Sequence, residues 1–126
     1  MTRYIRLILV GSALCAAAFS STAAFAQPGY MTCQAAESER QLVFTSPSEF
    51  RADSADTDKA FDYFIKAYQA GKAPLLHADL SHVQGICHWE AKKGVAITMT
   101  TNYLIHFVQL GYLAYSEVAM PDPFVP

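Results

Sequence analysis

Cys33 and Cys87 constrain the fold more than any other feature of this chain, because a bond between them ties two distant segments together. The chain has three cysteines, and the third, Cys15, lies in an N-terminal stretch that we expect to be removed. Two cysteines in a small exported protein most simply form a disulfide. The enclosed loop would hold about 55 residues, for which chain-entropy theory gives roughly 4 kcal/mol of stabilisation. We therefore predict a Cys33–Cys87 disulfide.

The first 26 residues have the pattern of a secretory signal peptide. Two arginines precede a short apolar run, and a small-x-small cleavage pattern ends at Ala26. We predict cleavage after Ala26 and a periplasmic or secreted location. One alternative is an uncleaved membrane anchor, although the apolar run is shorter than the roughly 20 residues that span a bilayer. The other is a lipoprotein anchored at Cys15, although Leu14 stands where such a site has a small residue.

Residues 27–126 have the length of one small domain. Removal of residues 1–26 takes away two arginines and no acid, so the net charge changes from −2 to −4. The remaining chain has no basic run, and nucleic-acid affinity depends on neutralising phosphates. The composition therefore predicts a domain that binds neither nucleic acid nor an anionic membrane surface, and that has no stable membrane span.

Two extended segments come first in the predicted domain. Residues 30–34 alternate between two faces, and residues 41–46 are rich in β-forming side chains and stop at Pro47. We predict an antiparallel pair here. Residues 46–58 have a loop composition. A further short extended piece within "HVQGICHWE" would bring Cys87 towards Cys33.

The clearest predicted element is a helix over residues 58–70. Its apolar side chains recur at i, i+3, i+4 and i+7, which gives one apolar stripe. Residues 95–110 are ambiguous, because they start with strand-like alternation and continue with helical spacing; we favour a helix over 97–110. A final strand is predicted over 112–120, before a proline-rich tail at 121–126 that we expect to be extended or mobile.

These elements predict an α+β fold in the order β-β-α-(β)-α-β. A small antiparallel sheet of about three to four strands would carry two helices on one face, which buries the apolar stripes of both helices. The disulfide Cys33–Cys87 would join the first strand to the middle of the chain.

Histidines next to Cys87 raise the possibility of a metal site. His77, His82 and His88 could act as ligands, since imidazole suits zinc or copper. Their spacing matches no strong metal signature, and a disulfide removes the thiolate of Cys87 as a ligand. A metal-binding envelope protein that uses these three histidines is therefore the alternative function, and no other cofactor is predicted.

The sequence gives little support for a catalytic site. Cys87 and His88 are adjacent, so on an extended chain their side chains point to opposite sides, whereas a nucleophile and its base must meet in space. The acids at 37–39 and 53–58 suit loops and a helix N-terminus better than the paired carboxylates of a hydrolase. A small hydrolase remains a weaker alternative.

Aromatic side chains are numerous for so short a chain. Tyr63 lies off the apolar stripe of its predicted helix, and Trp89 follows the cysteine segment. Tyr and Trp are common at the centres of protein interfaces, although burial in the core would also account for them. We therefore predict a non-enzymatic, protein-binding domain of the inhibitor, immunity or accessory type, with Tyr63 and Trp89 as candidate contact residues for another envelope or secreted protein.

Overall fold

The computed structural model of the protein describes residues 26–46, 49–72 and 80–126, and residues 1–25, with the predicted signal peptide, lie outside them. Seven main elements follow in the order β-β-β-α-β-α-β. They are β1 (Pro28–Glu37), β2 (Leu42–Thr45), β3 (Phe50–Asp53), α1 (Thr57–Lys72), β4 (Val83–Glu90), α2 (Lys93–Gln109) and β5 (Leu113–Ser116). Short 3-10 turns precede α1 and β4, at Ser54–Asp56 and Leu80–His82.

The central strand of the sheet is β1. It pairs antiparallel with β4 along one edge, and on its other edge with β3 near its start and β2 near its end. The fifth strand, β5, pairs parallel to β2, with Leu42 opposite Leu113. The predicted α+β class, with a small antiparallel sheet and two helices, is confirmed. The addition of β3 and the parallel direction of β5 were not predicted.

The two helices lie on opposite faces of the sheet. Phe44 of β2 stacks on Tyr68 of α1, with ring centroids 3.8 Å apart, and Phe44 is paired with Ala35. Gln34, the neighbour of Ala35, donates from Nε2 to Thr100 Oγ1 of α2 at 3.0 Å. Because successive strand residues point to opposite faces, α1 and α2 cover different faces. This differs from the single-face packing expected from the sequence, and the reason is that β1 is buried on both faces from Met31 to Glu37.

The main hydrophobic core lies between the sheet and α1. The predicted stripe of α1 points into it, with Phe64, Ile65 and Tyr68 buried and Phe61 packed against the cluster. The helix runs from Thr57 to Lys72, so the prediction of 58–70 is confirmed within two residues at each end. The helix predicted over 97–110 is confirmed as α2, Lys93–Gln109.

The C-terminal segment packs against the edge formed by β3. Phe124 is buried, and its backbone N–H donates to the carbonyl of Arg51 at 2.7 Å. Asp122 Oδ1 accepts hydrogen bonds from both the backbone N–H and the Nε of Arg51, each at 3.0 Å. The tail at 121–126 is therefore tied to the domain, whereas the sequence suggested an extended or mobile end.

Candidate binding surfaces

The predicted disulfide is present. Cys33 and Cys87 face each other in the β1–β4 register, with Cα atoms 4.0 Å apart, and both are buried. The sulfur of Cys87 is bonded, so it is not available as a thiolate nucleophile or metal ligand. His88, next in the strand, points to the opposite face of the sheet.

The histidines proposed as metal ligands are separated. His82 contacts Glu39 through Nε2 and Oε1, 3.0 Å apart, at one end of β4. His88 lies five strand residues beyond Val83, which is roughly 16 Å at the usual rise per residue. His77 lies outside the described residues. Within residues 26–46, 49–72 and 80–126, no group of three His, Cys, Asp or Glu side chains is placed to hold a metal ion.

Trp89 is half-buried, and its side chain makes contacts within the domain. Its indole N–H donates to the carbonyl of Ala52 at 3.1 Å, and its ring lies against the backbone of Gly29, where a Cβ atom would approach within 2.5 Å. Tyr63 is exposed on α1 and meets the ring of Phe124 edge-on, with centroids 5.8 Å apart. Of the two aromatic candidates, Tyr63 is therefore the one that offers its ring to solvent.

A larger exposed apolar surface lies on α2. We define the outer stripe of α2 as Ile97, Thr101, Ile105 and Val108, which follow one another at helical spacing and are all exposed. The aliphatic members keep 43%, 50% and 49% of their surface exposed, in chain order. Beyond the helix, Leu113 is more exposed still. The outer stripe contains no charged side chain.

The inner side of α2 contacts the sheet through small and polar groups. Ala96 is its one buried residue among those described, and Thr100 meets the amide of Gln34. At the N-terminal end, Lys93 Nζ lies 2.7 Å from Glu49 Oε1, and this hydrogen bond lowers the pKa of Glu49 and raises that of Lys93. The inner side of α2 thus includes a side-chain hydrogen bond to the sheet, while Ile97, Ile105 and Val108 lie at other positions around the helix.

An aromatic cluster forms at the C-terminal half of α2. Tyr103, Phe107 and Tyr112 are half-buried, with the Phe107 ring 4.6 Å from that of Tyr103 and 5.0 Å from that of Tyr112. Burial raises the pKa of Tyr103 to about 12, with a smaller contribution from Tyr112, so its hydroxyl stays neutral at physiological pH. These aromatic side chains thus pack against one another at the C-terminal end of α2.

A second surface is the outer edge of β4. In the described chain, β1 is the neighbour that β4 pairs with, and its other edge has no strand beside it. A cavity of about 260 Å³ runs between this edge and the first turns of α1. It is lined by Thr57, Asp58, Phe61, Gly85, Ile86 and Cys87.

Comparison of the chain with known protein families, with characterised proteins and with solved structures finds no match. In the part of the chain that the structure describes, no helix is both long and apolar enough to cross a bilayer.

The sequence also carries a signal for the outer stripe of α2. Ile97, Ile105 and Val108 lie at helical spacing in the sequence, on a different side of the helix from Ala96, Tyr103 and Phe107. A helix that is apolar on most sides is either buried on most sides or covered by a partner. The sequence of β4 itself does not predict that β4 lies at an edge of the sheet. That position depends on which distant segments pair with it.

Proposed function

We propose that this protein is a small exported binding domain that attaches to another protein through the outer stripe of α2. The observation that carries the proposal is the exposure of Ile97, Ile105 and Val108 on one side of a helix without a charged residue among them. Contiguous exposed aliphatic surface on a small domain is typical of an interaction site. The partner would present an apolar, uncharged surface, such as a groove or a second helix face.

The export part of the proposal rests on the sequence of residues 1–26 and is compatible with the disulfide, because disulfides persist in oxidising compartments. The non-enzymatic part is supported by the geometry of the polar groups. Cys87 is bonded, and His82 precedes β4 whereas His88 lies near the far end of that strand.

The test is site-specific photo-crosslinking in the native host compartment. A photoreactive residue at position 105 should crosslink one defined partner, whereas the same residue at Lys66, exposed on α1, should not crosslink that partner. Ile105→Asp in a chain crosslinking from position 97 should abolish the product, because a carboxylate would be desolvated in an apolar interface.

Asn102→Asp is the matched control, since Asn102 is exposed on the same helix but off the outer stripe. It adds the same charge and should leave the crosslink intact. Equal loss with both variants, or a crosslink that is identical from positions 66 and 105, would contradict the proposal. Thermal unfolding of each variant shows that the fold is unchanged.

A further inference from the structure

The exposed large apolar side chains of the described chain are concentrated in one stretch. Nine such side chains are exposed within residues 26–46, 49–72 and 80–126, and six of them lie between Val95 and Leu113. Residues 91–116 contain no acidic residue, although the chain without residues 1–26 has a net charge of −4. Two copies of so acidic a chain repel each other, and this stretch lets them approach without bringing carboxylates together.

The outer stripe of α2 is complementary to itself. Its four members follow one another at intervals of four, four and three residues. A second α2 that runs in the opposite direction, related by a two-fold axis near Asn102, places Ile97 at the level of Val108 of the second copy. Thr101 then lies at the level of Ile105 of the second copy, within about one residue. The same contacts recur on the other side of the axis, so the stripe packs against itself along its whole length.

The charge at the N-terminal end of α2 favours this antiparallel order. Lys93 lies four residues before Ile97, so it continues the outer stripe, and its side chain is 60% exposed although it contacts Glu49. In an antiparallel pair, each Lys93 comes close to the C-terminal end of the other α2, where the helix dipole is negative and a cation is stabilising. A parallel pair would instead place the two Lys93 side chains next to each other. The stripe and its charged end therefore fit a second α2 in one direction.

From these observations we infer that the partner of the outer stripe of α2 is a second copy of this chain, bound through antiparallel α2 helices about a two-fold axis. The inference rests on the proposed function, because it names the partner of that same surface. One helix face on each copy makes a small interface. We therefore expect a reversible dimer with a Kd of about 1–100 µM.

Sedimentation of the disulfide-bonded protein without residues 1–26 tests the inference. The concentration is varied from about 1 µM to about 1 mM, which brackets the expected Kd. The apparent mass should rise from that of one chain to that of two. A mass of one chain throughout this range would overturn the inference.

Matched variants locate the interface. Ile105→Asp places two carboxylates in the apolar contact, one from each copy, and should weaken the dimer about 100-fold or more. Ile86→Asp is the control, because Ile86 of β4 has the same exposed fraction, 50%, and receives the same charge. It should dimerise like the parent, and thermal unfolding shows that both variants keep the fold. Equal weakening by the two variants would overturn the assignment to α2.

Photo-crosslinking within the purified dimer tests the direction of the helices. In the antiparallel pair the two copies of position 97 are roughly 16 Å apart along the helix axis. A photoreactive residue at position 97 should therefore attach near Val108 of a second, isotopically labelled copy. Attachment near Ile97 of that copy would overturn the antiparallel order.

The charge at the helix end has its own test. Lys93→Gln removes two contacts between a cation and a helix C-terminus in each dimer, and should weaken the dimer about 3–10-fold. Lys66→Gln, which removes an exposed lysine from α1, is the matched control and should leave the Kd unchanged. Equal Kd values for the two variants would overturn the role of Lys93.

Crosslinking from position 105 in the native host compartment separates this inference from the proposed function. A product with the mass of two chains is expected. A product with a different protein, together with a purified chain that stays monomeric, would overturn the second copy as partner and leave the proposed function standing. The absence of any product from position 105 would contradict both.

Discussion

At the scale of single residues, Gly85 lies where the structure leaves no room for a side chain. It lies in β4 opposite Ala35 of β1, and a Cβ atom there would meet the backbone carbonyl oxygen of Gln34 and come within 2.6 Å of Ala35 Cβ. Both neighbours belong to the central strand, so neither can move without disturbing the sheet. The close approach places Gly85 and the adjacent disulfide in one tightly packed layer.

We expect Gly85→Ala to destabilise the protein by about 1–3 kcal/mol, because the extra methyl group overpacks the β1–β4 contact. Gly94→Ala is the matched control: no atom lies within 4 Å of its added Cβ, and it lies in the first turn of α2. It should be neutral or stabilise by about 0.5 kcal/mol, since alanine restricts the unfolded chain and favours helix. Chemical denaturation of the two variants measures the difference, and equal stability would contradict the prediction.

At the scale of elements, the two helices and the β1–β2 pair could be predicted, whereas β3 and the direction of β5 could not. The apolar stripe of α1 is visible within one segment of the sequence, because its side chains recur with the helical period of 3.6 residues. In contrast, β3 has four residues with the exposed Arg51 between Phe50 and Ala52, and its partner is the start of β1. The direction of β5 depends on its pairing with β2, far away in the sequence.

The C-terminal segment provides a prediction at this scale. The backbone N–H of Arg51, followed by its side chain, holds the pKa of Asp122 below its usual value of 3.8. A group with a lowered folded pKa contributes stability that is complete above the unfolded pKa and is lost as the pH falls through the folded pKa. We therefore expect the parent to lose more stability than Asp122→Asn when the pH falls from about 5 to about 3.

Urea unfolding at several pH values measures this effect. Asp62→Asn, which removes an exposed acid from α1, is the control and should follow the parent curve. If Asp122→Asn and the parent lost stability in parallel over this range, the contact between Asp122 and Arg51 would not be the source of the pH dependence.

At the scale of the whole molecule, the sheet has a helix on each face and a covalent bond in its centre. The sequence predicted the disulfide because an exported chain with two remaining cysteines offers one pairing. It could not indicate that the bond joins directly opposed residues of two adjacent strands. Cys33 and Cys87 are buried under α1, so the cross-link also belongs to the core.

The double variant Cys33→Ala/Cys87→Ala should lose up to about 4 kcal/mol, the chain-entropy value for residues this far apart in sequence. Denaturant unfolding of the double variant and the parent measures the loss. Thiol titration of the denatured, unreduced protein without residues 1–26 should find no free thiol. Two free thiols would contradict the bond itself, and an unchanged midpoint would contradict its contribution to stability.

The position of β1 also sets the order in which the sheet can be completed. As the chain is synthesised from its N-terminus, β1 is made before every strand that will flank it. Its partner β4 comes much later, because Cys87 lies 54 residues after Cys33. Until then the central strand presents an open edge of its own, and non-local pairing of this kind is slow. During synthesis the protein therefore passes through a period in which its most buried strand is the one most available to other chains.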